Sequence, residues 1–348
     1  MGYSLNAVQA EAVLQALKQN YSVYAPKRFP KQGRYSDTDV IKYAEVEHYE
    51  DIVWQVKSDY PAKEVLTPIQ QAIFYFTEDE YRASKGPKKP ILILARPCDI
   101  NAQHVQAKIY AGNGGYTDLY YERMREKVKF ALMECNGGDD TCFCVSMGTN
   151  KTDDYSLALK FSDEGVQVQV TDETFAPYFE GMPQAGYTPA FVEENELKVT
   201  VPDLDDKAVR LALKSHPMWK EFDGRCISCG ACTVACSTCT CFTTTDIIYN
   251  ENANVGERKR TTASCQVKDF TDMAGGMSFR NRAGDRMRYK VLHKFHDYKA
   301  RFKDYHMCVG CGRCIDRCPE YISIVTTVNR MADAIEEIKA GEMGQERG

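Results

Sequence analysis

Apolar positions in the first 200 residues fall into short runs of two periods. Val8, Ala12, Val13, Leu14 and Leu17 recur at helical spacing, which predicts an amphipathic helix over 6–18. Ile91-Leu-Ile-Leu-Ala95, entered through Gly86-Pro87-Lys-Lys-Pro90, and the run from Val128 to Met133 are continuously apolar, as in strands buried on both faces. Tyr155 to Phe161 and Val166 to Val170 alternate on either side of Asp163-Glu-Gly165, which predicts a hairpin. Helical patterns are expected over 68–76 and 116–127. Residues 1 to about 200 are therefore expected to form an α+β or α/β domain.

After Val201-Pro202-Asp203 the apolar runs give way to turn and charged residues. Only the tail regains a clear period. Ile324, Val328, Met331, Ile335 and Ile338 are spaced 4-3-4-3, with Arg330, Asp333, Glu336, Glu337 and Lys339 opposite them, as in an amphipathic closing helix. A second domain over 201–348 is expected, mainly α and organised by its cysteines.

The length of 348 residues suits two domains. With 44 basic and 49 acidic residues the net charge is −5, which argues against global disorder and against a generally basic nucleic-acid binder. No run approaches the roughly 18 to 20 apolar residues that span a bilayer, and the opening Met1-Gly-Tyr-Ser-Leu-Asn-Ala lacks the pattern of an export signal. A cytoplasmic protein with no membrane partner is expected. In that reducing compartment, fifteen cysteines point to metal ligation rather than disulfides.

Eleven of the fifteen follow Gly224, and eight form two copies of C-x2-C-x2-C-x3-C. These are Cys226, Cys229, Cys232 and Cys236, then Cys308, Cys311, Cys314 and Cys318. Three thiolates at this spacing let one loop wrap three corners of a cubane, while the fourth reaches the other cluster. Crossed ligation assigns one [4Fe-4S] cluster to Cys226, Cys229, Cys232 and Cys318, and the other to Cys308, Cys311, Cys314 and Cys236. Gly230 and Gly312 follow the second cysteine of each run, where close backbone approach lets N–H groups point at sulfur. Zinc is the competing reading, but it takes four ligands in two pairs rather than four consecutive cysteines per run. The first run ends Cys236-Ser237 where bacterial ferredoxins have Cys-Pro.

The 71 residues between the runs include a basic stretch, with thirteen Lys and Arg against four Asp from Arg258 to Lys303. A docking face for an acidic partner, positive charge beside anionic clusters, and an ordinary solvated surface all fit it. No groove-reading motif accompanies it, so a nucleic-acid partner is not expected. Of the other cysteines, Cys98 and Cys135 end the two predicted strands, and Cys142 and Cys144 follow closely. Four thiolates there can hold a third cluster; the alternative is that they are small buried hydrophobic residues. Cys239, Cys241 and Cys265 are one thiolate short of a further set. Nucleotide motifs of the G-x-G-x-x-G and G-x-x-x-x-G-K-[ST] types do not occur, and the six histidines form no evident ligand cluster.

Longer irregular strings carry a resemblance: Gly33-Arg-Tyr-Ser-Asp-Thr-Asp39, Ala95-Arg-Pro-Cys-Asp-Ile-Asn-Ala102, Cys142-Phe-Cys-Val-Ser-Met-Gly-Thr-Asn-Lys-Thr-Asp153, Arg225-Cys-Ile-Ser-Cys-Gly230 and His306-Met-Cys-Val-Gly-Cys-Gly-Arg-Cys314. On these the chain resembles the A subunits of anaerobic sulfite reductases and, more loosely, the beta subunits of soluble sulfhydrogenases. The resemblance implies a non-catalytic electron-transfer subunit in a three-part complex. Its partners would be a flavin and NAD(H)-binding reductase subunit and a sirohaem subunit that reduces sulfite to sulfide. Two alternatives remain: a hydrogenase-type beta subunit with a nickel-containing partner, and an iron–sulfur redox sensor.

Overall fold

In the computed structural model, which describes residues 1–251 and 253–341, the two continuous apolar runs lie side by side at the centre of a seven-stranded sheet. In chain order the strands are β1 (Gly2–Leu5), β2 (Ser22–Phe29), β3 (Val40–Glu45), β4 (Gln70–Phe76), β5 (Tyr81–Ala83), β6 (Ile91–Ala95), β7 (Val128–Met133), β8 (Leu157–Ser162), β9 (Gly165–Val170), β10 (Phe242–Ile248) and β11 (Gly256–Thr262). The large sheet runs β1-β9-β8-β7-β6-β2-β3. Its middle pairs β2–β6, β6–β7 and β7–β8 are parallel, and its flanking pairs are antiparallel. Burial on both faces explains the unbroken apolar runs. Leu92, Leu94, Ala131 and Met133 enter one core beneath the helix Ala7–Asn20, whereas Ile91, Ile93, Phe130 and Leu132 enter a second core that includes Ile100 of the helix Pro97–Tyr110. The predicted hairpin is β8–β9, with Ser162 opposite Gly165.

The segment expected to be helical over 68–76 is instead strand β4. Its run Gln-Gln-Ala-Ile-Phe-Tyr-Phe is aromatic and short, too short for periodicity to separate helix from strand, and its backbone pairs with β11 across 180 residues of chain. The pairing also brings strands into the second half, which was expected to be mainly α. The β10–β11 hairpin belongs to a four-stranded sheet ordered β10-β11-β4-β5, so residues from both sides of position 200 share one sheet.

The closing helix forms as its pattern requires, over Ile324–Ala340, capped by Ser323 and ended by Gly341 in the left-handed region. Ile324, Val328, Met331 and Ile335 enter a core with Leu213, Trp219, Met287, Val291 and Phe295, joined by Phe143 and Met147 from the first half. Its apolar face is thus covered by its own chain and is not a docking surface.

The halves are fastened by a buried ion pair. Arg313 and Asp99 side chains are each 1% exposed, and the guanidinium meets both carboxylate oxygens at 2.8 and 2.7 Å. Its remaining N–H groups donate to Ser58 O, Ser58 Oγ and Ser237 Oγ at 2.9, 2.9 and 3.1 Å, so all five donors are used. Truncating one partner strands the other charge in the interior. Asp99→Ala is expected to cost about 3–5 kcal/mol, and the double variant Asp99→Leu/Arg313→Met to recover much of that loss. Guanidinium unfolding of anaerobically prepared protein measures both.

Candidate metal centres

Each cysteine run folds into the same local form. The first leaves the helix Glu221–Arg225 at Cys226 and turns at Gly230, whose φ of +79° makes it the cap of the short helix Ala231–Val234. The second turns at Gly312, φ +72°, which caps Arg313–Asp316. A Cβ at Gly312 would lie 2.4 Å from Thr141 O, and one at Gly230 would lie 3.0 Å from the Ser264 and Val267 side chains. Glycine is therefore required at 312 both for its φ and for contact with the first half of the chain. The two short helices pack on one another, which carries the fourth cysteine of each run toward the other loop.

Cys226, Cys229, Cys232 and Cys318 consequently line one cavity, closed by Met287, Ile322 and Ile324. Cys236 lies within electrostatic reach of Cys308 and Cys314, with Cys311 alongside. Cys314 also borders the first cavity, so the two sets share a wall. Among the described residues no three His, Cys, Asp or Glu side chains converge on a single ion position. Burial pushes the Cys308 thiol up to about 12 and holds Cys314 well above the usual thiol range, so ligation there depends on a metal and on nearby cations to displace the protons.

Those cations are lysines that sequence reasoning did not single out. Lys63, Lys290 and Lys294 are 4%, 4% and 3% exposed. None forms an ion pair with a carboxylate among the described residues. Lys290 Nζ donates to Cys232 O at 3.1 Å, Lys294 Nζ to Thr238 Oγ1 at 3.1 Å, and Lys63 Nζ to Cys239 O at 3.1 Å. A buried ammonium without a counter-anion is costly. The groups that offset that cost are sulfur: burial lowers the tendency of Lys290 to hold its proton and the neighbouring Cys232 and Cys314 sulfurs restore it, as Cys236 and Cys239 do for Lys294. A π-helical turn over His293–Asp297 interrupts the surrounding helix at Lys294. The basic stretch is accordingly turned inward in part, since Arg260 and Arg286 are also buried, bonded respectively to Asp118 and Gln71 and to Gln266 O and Ser228 Oγ. Of the readings the sequence left open, charge beside the clusters describes Lys290 and Lys294 best.

Ser237, which departs from the ferredoxin pattern, occupies the junction of the halves. Its Oγ accepts from Arg313 and lies 3.4 Å from both Asp99 Oδ1 and Cys311 Sγ, contacts that a proline ring lacks the hydroxyl to make. Cys98, Cys135, Cys142 and Cys144 line a single cavity together with Cys311. Cys241 and the neighbouring lysines draw the Cys265 thiol down to about 5, against the effect of burial.

A family model described as a 4Fe-4S dicluster domain matches residues 225–322. Over 344 residues, covering 92% of this chain and 95% of the relative, the sequence is 27% identical to the beta subunit of sulfhydrogenase 2 from Pyrococcus furiosus. No solved structure matches. Among the described residues no helix is long and apolar enough to cross a membrane.

Two outcomes are expected. In Cys318→Ser the centre grouped with Cys226, Cys229 and Cys232 is damaged while the one at Cys308, Cys311 and Cys314 persists; electron paramagnetic resonance of the reduced protein distinguishes them, and loss of the second centre instead contradicts the crossed grouping. In Lys294→Met the midpoint potential of the centre beside Cys236 falls by on the order of tens of millivolts, because a positive charge that stabilises the reduced form has been removed. An unchanged potential at unchanged iron content would show that the ammonium is neutralised by other means.

Proposed function

We propose that the chain is an electron-transfer iron–sulfur subunit of a multi-subunit oxidoreductase, of the sulfhydrogenase beta type. One observation carries this reading: Cys226, Cys229, Cys232 and Cys318 line one cavity whose wall includes Cys314 of the second run, and Cys229 is exposed. Bound there, a [4Fe-4S] cluster supplies one-electron storage and release. The residues hold each cluster in a fixed loop, and buried ammonium groups offset its charge. The glycine-capped turns bring backbone close to sulfur. The dicluster match and the archaeal relative support the same reading.

The relative's name favours the sulfhydrogenase side of the resemblance over the sulfite reductase side. A nickel-containing hydrogen-activating subunit is therefore the first expected partner, with a flavin and NAD(H)-binding subunit as the second. The sirohaem partner, with sulfite as acceptor, is the reading it displaces. Purifying the native complex anaerobically through a tag on this chain decides between them. Co-purified nickel with hydrogen-dependent dye reduction supports the sulfhydrogenase reading. Co-purified sirohaem with sulfite reduction overturns it, and a chain isolated with neither would argue against a subunit role. The purified chain alone is expected to take up electrons from a chemical reductant and to release neither sulfide nor hydrogen.

A further inference from the structure

We propose that Cys98, Cys135, Cys142 and Cys144 hold a third iron–sulfur cluster, and that the three thiol sets form one row, joined at Cys314 and at Cys311. The site itself stands on geometry independent of the functional reading above, while the row rests on the crossed grouping of the two runs.

The four cysteines come from three places that the fold brings together. Cys98 lies in the first turn of Pro97–Tyr110, directly beyond β6; Cys135 lies just beyond β7; Cys142 and Cys144 lie in the loop that follows. All are thus at the carboxyl edge of the parallel strands, where open α/β sheets place ligands. Their thiols face one cavity. Structural cysteines would be expected to scatter through the core as small apolar residues. Four cysteines from separate elements lining one cavity are the donor set of a cubane.

The walls of the cavity suit an anionic occupant. Arg96 Nη1 lies 3.9 Å from Cys135 Sγ and Lys57 Nζ lies 3.7 Å from Cys142 Sγ, with side chains 10% and 8% exposed. Asp139 N–H points at Cys142 Sγ at 3.5 Å. Asp139 and Asp316 also contact these cations, at 3.4 Å from Arg96 and 2.9 Å from Lys57. Both positive groups are therefore fixed beside the thiols.

The junction with the second run is close. Phe143 N–H donates to Gly310 O at 2.8 Å, Thr149 Oγ1 donates to Val309 O at 2.7 Å, and Cys142 Sγ lies 3.8 Å from Cys311 O. Gly310 has φ +65°, and a Cβ there would come within 2.6 Å of the Phe143 and Cys144 backbone. One loop is moulded on the other. Cys311 belongs to the second set and borders the third, as Cys314 belongs to the second and borders the first. The chain thereby has a second terminus for its row, in the first half, far in sequence from Cys229.

Iron and acid-labile sulfide in the full chain, purified anaerobically, test the site. About twelve of each per chain are expected, against about eight for a two-cluster protein. Cys135→Ser and Cys98→Ser, made separately, should each lose about four irons while the signals of the other two centres persist, which also shows that the variants are folded. Loss of magnetic broadening from the second centre's signal in those variants would support the row. About eight irons in the unmodified chain, or about twelve retained in both variants, overturns the site; a second-centre signal unaltered by removal of the third overturns the row. These readouts do not depend on which partner subunit is found, so the site can fail without the subunit reading failing, and the reverse.

Discussion

The ion pair of Arg313 with Asp99 is the contact on which the arrangement depends. A guanidinium with all five donors used leaves little freedom to either side. Asp99 follows Cys98, Arg313 lies between Gly312 and Cys314, and Ser237 follows Cys236. One charge pair therefore fixes the thiol sets of both halves relative to each other. Such a pair adds little net stability, because desolvation consumes much of the attraction. Its contribution here is geometric: few alternative registers of the two loops can satisfy a fork of five fixed N–H directions.

Around this junction the interior holds more positive charge than its carboxylates can balance. Lys63, Lys290 and Lys294 hydrogen-bond to the backbone or hydroxyl groups of the first cysteine run and the residues just after it, and cysteine sulfur offsets the burial of Lys290 and Lys294. Ligand binding and folding are coupled in such a core, since each supplies the charge the other lacks. The apolar cores described above surround the region and hold water away from it.

The sequence was most informative where one signal admitted one structure. Continuous apolar runs identified β6 and β7, the alternating pair identified β8–β9, and the 4-3-4-3 spacing identified the closing helix, because burial imposes those periods directly. The cysteine runs were legible for the same reason: their spacing is set by the cluster. The seven residues of β4 were misread because an aromatic run of that length fits either period and its partner is remote in sequence. Of the buried lysines, Lys63 carries no sequence signal, and Lys290 and Lys294 are legible only as members of a basic stretch for which charge beside the clusters is one of three readings. A lysine among other basic residues looks like solvated surface, and only the turn at His293–Asp297 and the packing around it show that Lys294 lies inside.

The crossing of the cysteine runs has a consequence for how the protein is made. Under the crossed grouping proposed above, the centre begun by Cys226, Cys229 and Cys232 lacks its fourth thiol until Cys318 has left the ribosome, and the other centre needs Cys236 to meet residues more than seventy positions later. Neither site is complete while the chain is still being extended through the segment between them. Closing such long loops carries an entropic cost before any native contact repays it. On that grouping cluster delivery waits until the second run has emerged, and until then the nascent chain holds open thiols beside buried-to-be ammonium groups.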